Sequence, residues 1–213
     1  SNETLVVWNS ALLKSAKLIF PMLIFSVFFA EPIMTCMYGD IYAQSSIYFV
    51  IKNLSGLFYI IPFYPIILAI GKTNSYANAH MIAAFMIVMA EYVVCKTFDS
   101  AVYVAITSEL CKLFKIWLLL RVIANYAHKK ITELLPPRPM TILIMISVLA
   151  SLPPFLLLDF LNMNKFIVLF VCLGFFLVDY YVLCWICKVT YRDIAGGFLK
   201  NKSRLNAVVK ILP

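Results

Sequence analysis

The sequence predicts an all-α polytopic membrane protein, a bundle of about six transmembrane helices. Two observations carry this reading. Hydrophobic residues make up 63% of the 213-residue chain, charged residues only 13%, and the mean hydropathy is +0.93. A soluble domain of that length uses about 25% charged residues to cover its surface. The second observation is spacing: six apolar runs each reach the roughly 20 residues that a helix needs to cross about 30 Å of hydrocarbon. They are about twice the length of a barrel strand and lack its strict alternation, which selects helix over strand.

In order, the first run covers about Ser10 to Ala30, with Lys14 and Lys17 in its opening turns and Pro21 inside. The second, Ile47 to Ile70, contains Lys52, Gly56, Pro62 and Pro65. Its prolines mark expected bends, because neighbouring helices can satisfy the carbonyls they release. The third, Tyr76 to Cys95, is the least apolar, since Asn78 and His80 stand near its start. The fourth, Ala101 to Ile123, carries Glu109, Lys112 and Lys115. Pro136-Pro137-Arg138-Pro139 reads as a breaker before the fifth, Met140 to Leu158, and the sixth, Phe166 to Cys187, holds Asp179. The organisation expected is therefore four spans in 1–125, a basic loop at 126–139, two terminal spans in 140–187 and a basic tail at 188–213.

Charge gives the orientation. Outside the span interiors, thirteen Lys and Arg fall on the side holding the N-terminus, the 71–75 turn, the 121–139 loop and the tail, against Lys96 and Lys165 on the other. This bias places the first side, with both termini, in the cytoplasm. It also explains the net charge of +8 without nucleic acid, because the basic residues are not interleaved with aromatics along a polar face. The tail from Lys188 reads as an anchor lying on anionic membrane lipids.

A charge inside a span costs roughly 2.5–3.5 kcal/mol on insertion scales and so marks a candidate site. Glu109, Lys112 and Lys115 follow one another at i,i+3 steps and share a helix face. One reading is an intrahelical Glu109–Lys112 pair with Lys115 snorkelling. The other is a water-filled cationic cavity in which Lys115 is uncompensated. Lys52, about a turn inside the outer end of the second span, reads as snorkelling outward, with a place in the same site as the second option. Glu91 and Asp179 are lone carboxylates suited to interfacial or packing roles, with a coupling site as the alternative, and His80 and His128 are isolated. With no paired histidines, no Ser/His/Asp set and no glycine-rich phosphate loop, neither a catalytic centre nor a cofactor or metal site is expected. Cys184 and Cys187 have the spacing of a redox or zinc pair, but they end an apolar run with no second pair.

Several local patterns carry a resemblance. Ala30-Glu31-Pro32-Ile33 follows a proline-bearing first span, and Met37-Tyr38-Gly39-Asp40-Ile41-Tyr42-Ala43 leads into the second. Leu68-Ala69-Ile70-Gly71-Lys72-Thr73 forms the turn after it. In this order and spacing they resemble the C-terminal lobe of the polysaccharide (O-antigen type) flippases. That family belongs to the multidrug/oligosaccharidyl-lipid/polysaccharide exporter superfamily, which also holds drug/cation antiporters. The outer turn departs from the pattern: Phe98-Asp99-Ser100-Ala101-Val102 lacks the family's glycines.

The resemblance implies a fourteen-span fold with a cationic cavity between two six-helix lobes, of which this chain covers the last six spans. The opening Ser1-Asn2-Glu3, without an initiator Met, reads the same way: a C-terminal part whose N-terminal lobe is missing. It implies a bacterial cytoplasmic-membrane transporter, not an enzyme. Such a transporter moves a polyprenyl-diphosphate-linked oligosaccharide between leaflets for surface polysaccharide synthesis. Lys112, Lys115, Glu109 and Lys52 are the residues available to meet the diphosphate. The rivals are a small membrane acyl- or phosphatidyl-transferring enzyme, an accessory subunit, and a drug/cation antiporter; the last should prefer cavity carboxylates to lysines.

Overall fold

The computed structural model describes residues 2–158, 164–187 and 189, with side chains from residue 5 onward. Every regular element among them is helical. Helix α1 spans Asn2–Phe28 and α2 Ala30–Tyr38, separated by a kink at Phe29. A 3-10 turn, Asp40–Ser45, leads into α3, Ser46–Tyr59, and α4 covers Phe63–Ala69. Helices α5, Thr73–Thr97, and α6, Ala101–Ala127, follow. The short α7, Ile131–Leu134, precedes α8, Pro137–Leu157, and α9, Lys165–Ile186. The basic tail lies outside the described residues apart from Val189.

Five of these stretches are long and apolar enough to cross a membrane: Leu5–Phe28, Asp40–Ala69, Thr73–Thr97, Pro137–Leu157 and Lys165–Ile186. The chain is thus an all-α, multi-pass membrane protein. Helix α6 differs only in chemistry. Its 27 residues make it about 40 Å long, but Glu109, Lys112, Lys115 and Arg121 dilute its apolar character. It returns along α5 through the turn at 98–100, and the pair packs along its length.

Three local features refine the sequence expectation. Pro21 does not interrupt α1; the break comes at Phe29, and the chain stays helical to Tyr38. The second run breaks at Ile60–Pro62, where proline lacks the N–H that would continue the ladder. The Trp8 indole donates to the Pro62 carbonyl at 3.1 Å, satisfying one of the released acceptors from α1. The third is a correction: the proline cluster at 136–139 is not simply a breaker. Pro137 opens α8, because the first turn of a helix has no use for its N–H groups. Gly39 (φ 96°) and Gly71 (φ 68°) take left-handed turn conformations open to glycine, at the two turns flanking the second span.

Packing falls into two sets. Helix α8 sits between α1 and α9, and α6 sits between α5 and α3, with α1 against α3 joining the sets. The first set buries Phe25, Phe29, Ile146, Ala150, Cys172 and Phe176. A second cluster runs from Trp8, Leu12 and Phe20 of α1 to Ile66 and Ile67 of α4 and to Leu119 and Ile123 of α6. At the far end, Lys165 pairs with Asp40, tying the 3-10 turn to the start of α9.

Candidate functional site: a carboxylate hub and a cationic groove

Helix α6 sets Glu109, Lys112 and Lys115 on one face, as their spacing requires. Opposite them, α3 presents Lys52, Ser55 and Tyr59, whose i, i+3, i+7 spacing forms a polar stripe on a mostly apolar helix. The two stripes meet on the carboxylate of Glu109, a residue only 8% exposed. Lys112 Nζ donates to its Oε1 at 2.7 Å, and Lys52 Nζ reaches the same oxygen at 3.3 Å. The Tyr59 hydroxyl donates to Oε2 at 3.2 Å. Ser55 Oγ lies 2.6 Å from Oε2 and 2.9 Å from the Lys52 carbonyl. The shorter, charge-assisted contact takes its proton. Four donors therefore fill about the four acceptor positions a carboxylate offers. Glu109 is saturated.

The Lys52 ammonium corrects the snorkelling expectation. Although the side chain is 62% exposed, it turns inward to Glu109 and lies 5.5 Å from the Tyr59 ring centroid. Burying a carboxylate without partners is costly enough to draw a flexible lysine out of its way to the interface. Lys112 makes the expected intrahelical pair. Among the described residues no carboxylate lies within ion-pair distance of Lys115, which is half-buried.

Lys115 instead borders two adjoining grooves. One, of about 400 Å³, is lined by Lys52, Tyr59, His80, Ala83, Ala84, Ile87, Lys112 and Lys115. The other, of about 300 Å³, shares Tyr59, His80 and Lys115 and runs beneath the α3–α4 break along Ile61 to Pro65. The break in the second span is thus what opens this groove, and the small Ala83 and Ala84 on α5 leave room beside it. Lys52 and Lys112 share one carboxylate and Lys115 has none within ion-pair distance among the described residues, so the surface around the grooves keeps a net positive charge.

His80 is the residue sequence reading left isolated. Its ring lies tilted at 45° against Tyr76, 4.4 Å between ring centroids, and it lines both grooves. Its signal was present but weak: a polar side chain two turns inside an apolar helix. Glu91 and Asp179 line neither groove, and His128 lies at the opposite end of α6 from its start. Cys184 is buried and Cys187 exposed at the end of α9. Among the described residues no group of His, Cys, Asp or Glu is placed to hold a metal ion.

No known family, curated protein or solved structure matches this chain. The helices and the groove define a class: a multi-pass α-helical membrane protein with a partly desolvated, net-positive polar site between three of its helices.

Proposed function

We propose that the chain is the C-terminal part of a membrane flippase that moves a polyprenyl-diphosphate-linked oligosaccharide between leaflets of the bacterial cytoplasmic membrane. The observation that carries this reading is the positive charge left over at Lys115, beside His80, in an open groove. Ammonium groups inside a span are expensive, so they are kept where an anion or a counter-charge uses them. The diphosphate is the strongly charged group of such a substrate. Glu109 already neutralises part of the charge of Lys52 and Lys112, which makes Lys115 the first contact for an entering phosphate and Lys112 the second. His80 supplies a further N–H donor. The glycan follows through the wet groove while the lipid tail remains in the bilayer. A second membrane lobe facing the groove completes the cavity, and rocking of the two lobes gives alternating access.

The orientation belongs to this proposal: both termini face the cytoplasm. A single cysteine at position 203 should resist an impermeant maleimide in intact cells, and one at position 45 should react. The reverse pattern overturns the orientation.

The functional test uses the complete protein in a strain lacking its chromosomal copy. Lys112→Gln with Lys115→Gln should abolish surface-glycan export at near-normal membrane abundance. Lys115→Gln alone should cause most of that loss. Arginine at either position should keep partial export, because its fork also binds phosphate. Normal export by the double glutamine variant refutes the site.

A further inference from the structure

A second cationic feature lies away from the Glu109 hub, where the last turn of α6 meets the first turn of α5. Helix α6 ends at His128, the one non-glycine residue with positive φ among the described residues (53°). Histidine is among the side chains that tolerate this conformation, at some cost. The left-handed step folds the chain back, and the Lys129 N–H closes on the Ala124 carbonyl at 3.2 Å. As a result Ala124, Asn125, His128, Lys129, Lys130 and Glu133 line a notch of about 580 Å³. An adjoining notch of about 440 Å³ shares Asn125 and His128 and adds Lys72, Ser75, Val122 and Tyr126.

Three lysines and a histidine thus line a recess made of two adjoining notches that meet at Asn125 and His128, with a single carboxylate, Glu133, among the lining residues. None of the three lysines is within ion-pair distance of a carboxylate among the described residues. The charge bias of the loops puts these lysines on one side of the membrane, but like charges drawn together there still repel, so their convergence needs a further reason. One is the partial negative charge at the end of α6, which cations complement. That does not account for Lys72, which stands at the start of α5, the positive end of a helix whose first turn has no side-chain cap. An anion in the recess accounts for all four.

We propose that this recess binds the phosphate of an anionic phospholipid headgroup, with Lys72, His128, Lys129 and Lys130 as its donors. Lipid is the source because the recess is amphipathic. Tyr126 is 44% exposed on its rim, and Val122 lies one turn further along α6, where an acyl chain continues along the helix. Basic pockets between helix ends at the membrane surface take acidic headgroups by this same combination.

The test is lipid titration of the intact protein in detergent, read by native mass spectrometry. Dioleoylphosphatidylglycerol should bind at least about tenfold tighter than dioleoylphosphatidylcholine. Each cation near an anionic lipid contributes enough that the Lys72→Gln, Lys129→Gln, Lys130→Gln triple should lose about a hundredfold in phosphatidylglycerol affinity. Lys200→Gln, Lys202→Gln, Lys210→Gln removes the same charge from the tail and should leave it within about twofold. Equal losses in both triples reduce the recess to general surface charge and overturn the proposal. Competition by glycerol 1-phosphate at the concentrations where the lipid binds overturns the lipid assignment in favour of a free-phosphate site. His128→Gly keeps the left-handed turn while removing the imidazole. It should weaken phosphatidylglycerol binding severalfold without lowering the melting temperature, and unchanged binding counts against the site even if the lysine triple fails to fold.

Discussion

Where α8 packs between α1 and α9, the contact is dry and small-featured; where α6 packs between α3 and α5, it is charged. On α8 the fully buried Ser147, Ala150 and Ser151 let the helices approach closely. Both hydroxyls are spent inside their own helix, Ser147 on the Leu143 carbonyl at 2.7 Å and Ser151 on the Ser147 carbonyl at 2.9 Å. The partners answer with aromatic shape: Phe25 stacks on Phe29 at 4.4 Å, and Phe176 leans on Phe25 at 5.0 Å. On α6 the inter-helix bond is Glu109 with its donors from α3. In lipid the first kind of contact depends on fit, since the tails are as apolar as the side chains. The second depends on completing a set of partners, and it fails when one member is removed.

The largest effect expected from this contrast is at Glu109. Glu109→Gln leaves two ammonium groups unpaired and should cost about 2–3 kcal/mol, less than a fully buried pair because the Lys52 side chain is largely exposed. Thermal unfolding in detergent will read it as a large drop in midpoint. Replacing the set together, as Lys52→Met, Glu109→Leu and Lys112→Met, should restore most of the stability while removing the cationic surface. A midpoint unmoved by Glu109→Gln shows that both regions are held by fit alone.

Next comes the dry contact. Ala150→Leu places a branched side chain where α8 has no free surface and should cost about 1–3 kcal/mol by overpacking. Its effect should be independent of salt. At the junction of the two regions, Trp8→Phe keeps the ring but loses the hydrogen bond to the Pro62 carbonyl, for about 1 kcal/mol. The unfolding midpoint should fall slightly, and the α3–α4 break should exchange backbone hydrogens faster. The smallest effect belongs to Ser147→Ala, within about 0.5 kcal/mol, because that hydroxyl bonds only within its helix. A large loss there reveals an inter-helix role for the serine and weakens the contrast.

Much of the architecture is legible in the sequence. Run length and spacing located each long helix, since a span must satisfy its backbone internally wherever it lies. The i,i+3 pair of Glu109 and Lys112 was equally readable, being set by helix geometry alone. The ends were less so. The first turn of α1 at Asn2 and the start of α8 at Pro137 lie in polar or proline-rich residues that hydropathy does not register. The bend in the second span was expected from its prolines, but not its place at Ile60–Pro62 or its partner Trp8.

The sequence by itself determined the class of protein, the approximate long helices and the gathering of Glu109, Lys112 and Lys115 on one face of the fourth, because hydropathy and helical periodicity are local properties. Only the tertiary structure decided which charges meet. Lys52 lies 57 residues from Glu109 and Ser55 lies 54, and nothing local relates them. His80 reaches Lys115 across the α5–α6 pair only because the chain reverses at 98–100 and the two helices pack side by side. An ion pair needs a distance of a few ångströms, and such distances between separate helices exist only after packing has fixed how each helix is turned toward its neighbour.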